Sequence, residues 1–167
     1  MFSTINSFKA VWEQERDATL KVLRNLTDAS LVKAITPEER TIGRVAWHIV
    51  ITIPEMMEYL GLAFPGISHK APVPKTAKEI AEAYEKVSAS VLEQITANWT
   101  DETLKVEDEM YGQKWTRSAS LQSIVFHQIH HRGQLTVLMR QAGLKFPGVY
   151  GPAREEWATY GAQPPEV

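Results

Sequence analysis

Four segments of the chain repeat their apolar residues at intervals of three and four positions, which is the period of an amphipathic helix. Polar residues, prolines and glycines separate these segments. The pattern predicts four main helices, placed roughly at residues 4–25, 41–60, 76–98 and 118–142. Helices of this length pack most simply side by side, so the predicted fold class is all-α, a four-helix bundle.

The connections between the predicted helices differ in length, and the longest one sets the expected topology. Residues 61–75 contain three prolines and two glycines, which excludes a regular helix or strand. A long crossover between helices two and three lets them run parallel, in an up-down-down-up bundle. The segment "TLKVEDEMYGQKWTRS" has apolar residues on both sides of a Tyr-Gly turn and predicts a short hairpin. We expect a single domain over residues 1–167.

A few residues mark a helix start, interrupt a helix or place a polar side chain on an apolar helix face. Thr76 and Glu79 have the spacing of a capping box at the start of helix three. Pro54 lies inside helix two, where it removes a backbone donor and predicts a kink or break near Ile53. In helix four, Gln128 and Arg132 fall within or beside the apolar sector. Both side chains therefore require buried polar partners.

Composition excludes several classes of protein. The chain has no cysteine, so it has neither a zinc-thiolate site nor a thiol nucleophile of its own. A formal net charge of −2 and a pI of about 6.2 give no basic surface for nucleic acid. No run of about 18 apolar residues and no signal-peptide pattern occur, so we expect a cytoplasmic protein with no membrane segment.

Three of the five histidines lie within the sequence "HQIHH" of helix four. His127 and His131 are four positions apart, on the same side of the helix, whereas His130 projects about 100° away from His131. His48 lies on a flank of helix two. Imidazole nitrogen is a frequent metal ligand. From spacing alone, the pair in helix four is equally compatible with a metal site and with structural histidines, and His48 is more typical of a boundary residue.

Several motifs resemble those of one known family. They are "VAWHIV", "HQIHHRGQL", "LMRQAGL" and the tail "GVYGPAREEWATYGAQPPE". Together they resemble the DinB/YfiT-like superfamily of proposed metalloenzymes, which is unrelated to the like-named DNA polymerase. The resemblance implies a four-helix bundle with up-down-down-up topology. It also implies a three-histidine metal site, with His48 from helix two and His127 and His131 from helix four.

The resemblance leaves two classes of function open. The first is a divalent-metal-dependent enzyme acting on a small-molecule substrate, as a low-molecular-weight thiol S-transferase or a hydrolase. In that case Glu55 and Tyr59 are candidate proton-transfer partners. The second class is a non-catalytic, stress-related protein that binds a metal or another ligand. Zinc or nickel suits an all-imidazole site best, and iron or manganese is compatible with it.

Association between copies of the chain is also expected from the resemblance, because relatives often pair through their bundle helices. Trp12, Phe64 and Trp157 could form an exposed apolar patch for this contact. The sequence therefore predicts a homodimer.

Overall fold

The computed structural model describes residues 1–64 and 66–166 and contains the four predicted helices. Each helix boundary lies within two residues of its predicted position. In the described residues, short 3-10 helices that the apolar pattern did not indicate follow three of the main helices. The main helices are α1 Ile5–Leu23, α2 Ile42–Tyr59, α3 Ala77–Asn98 and α4 Arg117–Gln141.

A threonine precedes each main helix and stabilises its first turn. The side chains of Thr4, Thr41, Thr76 and Thr116 each accept a hydrogen bond from a backbone N–H three residues later. At α3 the predicted capping box is confirmed. The carboxylate of Glu79 accepts from the Thr76 N–H at 3.1 Å, and the Thr76 hydroxyl accepts from the Glu79 N–H at 3.2 Å.

A kink or a break was predicted near Ile53. Pro54 lies inside α2 without ending it, so the break is wrong, and the kink stays a prediction. A proline in a helix interior costs about 3 kcal/mol. Ile53, Met56 and Met57 are each at most 2% exposed, and full burial of one such side chain contributes about 1.5–3 kcal/mol. The packing of this segment therefore outweighs the local preference of proline to end the helix.

The helices pack so that α1 contacts α3 and α4, and α2 contacts the same two helices. The chain is mostly helical, but the all-α prediction needs correction because the segment between α3 and α4 contains a small sheet. Its antiparallel strands are β1 (Glu107–Met110) and β2 (Gln113–Thr116). This is the predicted hairpin. Tyr111 and Gly112 have φ of 53° and 78°, as a tight hairpin turn requires. The up-down-down-up order of helix directions stays a prediction.

The predicted apolar surface patch is wrong for two of its three residues. Trp12 is 0% exposed and Phe64 is 8% exposed. Trp12 lies on the core side of α1, and its indole N–H donates to the Ser88 carbonyl at 2.9 Å. Trp157 is partly buried. The helices formed by residues 1–64 and 66–166 include none with the length and apolar character to cross a membrane.

Both polar side chains of the apolar sector of α4 have buried partners. The Tyr84 hydroxyl donates to Gln128 Oε1 at 2.5 Å. Arg132 is 2% exposed and donates to Glu15 Oε2 at 2.6 Å and to Thr19 Oγ1 at 3.0 Å.

The buried pair between Arg132 and Glu15 also holds the segment that follows α4. The Tyr150 hydroxyl donates to Glu15 Oε2 at 2.8 Å and accepts from Arg132 at 2.6 Å. One buried cation therefore joins α4, α1 and the C-terminal segment. Because Arg132 and Glu15 are both buried, removing either one leaves the charge of the other buried without compensation.

We predict that Arg132→Met lowers the free energy of unfolding by about 3–5 kcal/mol, because the Glu15 carboxylate loses its buried counter-charge. Arg24→Met is the matched control: it breaks the exposed pair with Glu85 and is expected to change stability by at most about 1 kcal/mol. Urea unfolding followed by circular dichroism measures both values. Equal losses in the two variants would contradict a structural role for the buried pair.

Candidate metal centre

The packing of α2 against α4 brings His48 together with His127 and His131. Each side chain offers a nitrogen, and these three atoms lie within 4.8 Å of one another. The Nε2 atoms of His48 and His127 are 3.1 Å apart. Two nitrogens on one tetrahedral zinc ion, each at about 2.0–2.1 Å, are separated by roughly 3.3 Å. The spacing is compatible with a metal site, and we call these residues the histidine triad.

Helical spacing explains why two triad members come from α4. His127 and His131 are one turn apart on the side that also carries buried Ile124 and Leu138. His130 is exposed and lies outside the triad, although its ring centroid is 4.9 Å from that of His131. The α4 face that packs on α2 therefore selects two of the three clustered imidazoles.

Polar neighbours orient two of the rings. His131 Nδ1 lies 2.7 Å from the side-chain carbonyl oxygen of Gln134, which only accepts, so the Nδ1 proton is assigned to this bond. At His48, the Thr52 oxygen is 3.4 Å from Nδ1 and its hydroxyl donates to the His48 carbonyl at 2.8 Å. Both contacts leave Nε2 with its lone pair free to bind a cation.

Sequence reasoning did not identify these orienting residues as part of the site. The signal was present, because Gln134 follows His131 by three positions and Thr52 follows His48 by four. Residues at these spacings are neighbours on a helix surface. A search of such positions for hydrogen-bonding side chains would have found both.

Burial keeps the triad neutral at pH 7. It lowers the pKa of His48 to about 4 and that of His127 to about 3, with the charge of His131 as the next cause. Burial also lowers the pKa of His131, whereas the hydrogen bond that His131 donates to Gln134 raises it. Neutral imidazole is the form that binds a metal ion. The donor set of three uncharged nitrogens therefore fits a divalent cation.

Two open cavities flank the triad. The first, called the His131 cavity, has a volume of about 410 Å³ and is lined by His131 and Gln134 together with Arg40 and apolar residues. The second, called the hairpin groove, has a volume of about 720 Å³ and lies between β2 and the first half of α4. His127, His130, Trp115 and Phe126 line it. One triad member thus lines each cavity, His131 the first and His127 the second.

The two predicted proton-transfer residues form a separate cluster near the hairpin turn. The Tyr111 hydroxyl is 3.5 Å from the Glu55 carboxylate, and the Tyr59 ring lies 5.2 Å from that of Tyr111. Burial, followed by the Glu55 charge, raises the pKa of Tyr111 to about 12. Glu55 follows His48 by seven positions on the same side of α2, which separates them by about 10 Å along the helix. Neither Glu55 nor Tyr59 is among the residues described above that contact the histidine rings of the triad.

We predict that acid destabilises the metal-free protein between pH 6.5 and about 4. Unfolded histidines take up protons near pH 6.5, whereas folded His48 and His127 do so only near pH 4 and pH 3. The unfolded state therefore binds more protons in this window. The free energy of unfolding decreases as the pH is lowered. The slope is at most about 1.4 kcal/mol per pH unit for each histidine, and partial exposure of the rings reduces it.

Urea unfolding of chelator-treated protein at several pH values measures this slope. In His127→Gln the slope should be smaller, because one of the titrating histidines is absent. An unchanged slope in that variant would show that other residues cause the acid sensitivity.

Comparison with known proteins identifies the family of the chain. A family model described as the DinB family matches residues 1–166. The YrdA protein of Bacillus subtilis (strain 168) is 44% identical over 167 residues, which is 100% of both chains. A crystal structure of a DinB-like protein from Bacillus cereus ATCC 10987 is 46% identical, with a TM-score of 0.86 over 90% of this chain and 100% of that chain.

The DinB-like protein YjoA of Bacillus subtilis shares the fold at much lower identity. Its crystal structure is 21% identical, with a TM-score of 0.67 over 86% of this chain and 96% of that chain. The family model and the identity with YrdA both extend over nearly the whole sequence. The chain therefore belongs to the DinB family.

Proposed function

We propose that the chain is a divalent-metal-dependent enzyme that acts on a small-molecule substrate, with His48, His127 and His131 as the metal ligands. The observation that carries this proposal is the convergence of three neutral imidazoles between two open cavities. Zinc or nickel suits an all-nitrogen donor set of this kind, and iron or manganese is compatible with it. A purely structural zinc site would instead be closed by a fourth protein ligand.

The two cavities favour a reaction between two small molecules. A divalent ion with three protein ligands supplies Lewis acidity and open coordination positions for an oxygen or sulfur atom. One reactant can enter from the His131 cavity and the other from the hairpin groove, so that both reach the triad. A low-molecular-weight thiol S-transferase needs this arrangement, whereas a hydrolase needs only one organic substrate. Since the chain has no cysteine, the thiol would come from a cosubstrate.

Proton transfer is assigned in this proposal to Glu55, with Tyr59 as its neighbour. The separation of Glu55 from His48 means that it would act on a distant part of the substrate or through water. The triad itself has Thr52 and Gln134 as its polar neighbours, and both hold ring orientation without exchanging protons at neutral pH.

The alternative function is a non-catalytic protein that binds a metal or ligand. The distance between the triad and Glu55 favours this alternative, because no carboxylate within residues 1–64 and 66–166 forms a hydrogen bond or an ion pair with the triad rings. The homodimer also remains a proposal. With Trp12 and Phe64 buried, its contacts would involve other apolar side chains, such as Phe126 and Val137 on α4, which are 58% and 56% exposed.

We predict that three of four alanine substitutions remove bound metal. His48→Ala, His127→Ala and His131→Ala each leave two ligands and should weaken zinc or nickel binding by at least about 100-fold, by the scale of losses seen when metal-site residues are removed. His130→Ala is the matched control, because this exposed ring lies outside the triad. Metal content after purification and a competition titration measure the effect. Similar losses in all four variants would contradict the assignment of ligands.

We predict that the metal-loaded protein transfers a low-molecular-weight thiol to an electrophile and that chelation abolishes this activity. Glu55→Gln should lower the rate by about 100-fold if the carboxylate transfers a proton. Glu58→Gln, one turn away and exposed, is the control and should leave the rate unchanged. A screen of thiols and electrophiles with zinc, nickel, iron and manganese measures both. Full metal binding without turnover would support the non-catalytic alternative.

A further inference from the structure

An arginine without an ion-pair partner stands at the edge of the His131 cavity. Arg40 is exposed and lines this cavity beside Glu39, His131 and Gln134. In residues 1–64 and 66–166, ion pairs of arginine side chains involve Arg16, Arg24, Arg117, Arg132 and Arg140, and not Arg40. Its guanidinium donors are therefore available to a molecule in the cavity.

The segment before α2 holds Arg40 in this position. The Ile42 N–H donates to the Lys33 carbonyl at 2.8 Å, and the Gly43 N–H donates to the Leu31 carbonyl at 2.9 Å. A Cβ atom at Gly43 would lie only 3.0 Å from the Leu31 oxygen, so this close approach favours glycine. The loop that ends at Arg40 is thus attached to the first turn of α2.

The charge of Arg40 lies beside the triad. Arg40 and the triad residue His131 line the same cavity. The same positive charge opposes a divalent cation at the triad. A residue in this position is unfavourable for a site that only holds metal. It becomes favourable when an anionic ligand binds beside the metal and balances both charges.

We propose that Arg40 binds the carboxylate of a small substrate in the His131 cavity. The reaction of that substrate at the triad rests on the proposed function; the recognition of its carboxylate does not. A guanidinium group donates two parallel hydrogen bonds to a carboxylate. The apolar part of the substrate packs on Val45, Val137 and Leu138, which line the same cavity.

Charge and size specify the ligand further. Glu39 lies on the cavity wall next to Arg40, so these two formal charges cancel. This favours a monoanion, such as a carboxylate, over a phosphate dianion, which Glu39 would repel. A volume of about 410 Å³ suits a small molecule rather than a peptide. The structure therefore points to a short apolar carboxylate.

Binding of hexanoate to the full chain tests the proposal, with titrations followed by NMR in both metal-free and zinc-loaded protein. The metal-free sample excludes direct coordination of the carboxylate to the ion. We expect shifts of the Val45, Gln134 and Val137 amides. Arg40→Gln should weaken hexanoate binding at least about tenfold, the effect of losing one charge-assisted contact. Hexanamide and hexyl phosphate should bind more weakly than hexanoate.

Arg44→Gln is the matched control. Arg44 is also exposed and lies in the first turn of α2, four residues before His48, but it does not line the His131 cavity. Its substitution should leave hexanoate binding within about twofold, because a charge outside the cavity acts only through solvent. Equal losses in Arg40→Gln and Arg44→Gln would overturn the proposal, as would undiminished binding in Arg40→Gln or equal binding of hexanamide.

The outcomes also separate this inference from the proposed function. If hexanoate binding depends on Arg40 but no metal-dependent turnover is found, the proposed carboxylate site is supported and the proposed enzyme function is contradicted. If turnover depends on metal but Arg40→Gln does not change hexanoate binding, the proposed enzyme function is supported and the proposed carboxylate site is contradicted.

Discussion

The register of α2 against α4 is the constraint on which the candidate site depends. One turn of an α-helix advances by about 5.4 Å, which is more than the 4.8 Å that encloses the three triad nitrogens. A shift of one turn would therefore separate His48 from the other two rings. Buried side chains along both helices fix this register, and the pair of Arg132 with Glu15 fixes α4 against α1 as well.

The same packing that assembles the triad also makes it compatible with a bound cation. Burial lowers the pKa of the rings and removes their own positive charge, so the folded chain presents three lone pairs without a competing proton. The partners at Thr52 and Gln134 satisfy Nδ1 and leave Nε2 without a protein acceptor or donor beyond the triad itself. A cation at this point would bind the lone pairs of the three rings. Because it would bind only the folded arrangement, its binding would add to the stability of the folded state.

The sequence predicted what is determined locally and missed what depends on distant contacts. The helix boundaries followed from the apolar period and, at α3, from the capping box of Thr76 and Glu79, which act within a few residues. The break at Pro54 was wrong because buried neighbours from other helices stabilise α2. The need of Arg132 for a buried partner could be predicted, but Glu15 is 117 positions away, and no local pattern connects them. Trp12 was expected on the surface because one helix alone does not show which neighbours cover its apolar face.

The residues of the candidate site also separate into those that local sequence predicts and those that it does not. The two α4 histidines share a helical face, so their proximity follows from spacing, whereas His48 required the resemblance to a family. Arg40 was missed because it lies in an irregular loop, where the apolar period does not show which way a side chain points. Three neutral ligands leave a divalent cation with its full charge, and Arg40 adds a further positive charge beside it. Because Glu39 offsets only one of these charges, the arrangement is balanced best when an anion occupies the His131 cavity.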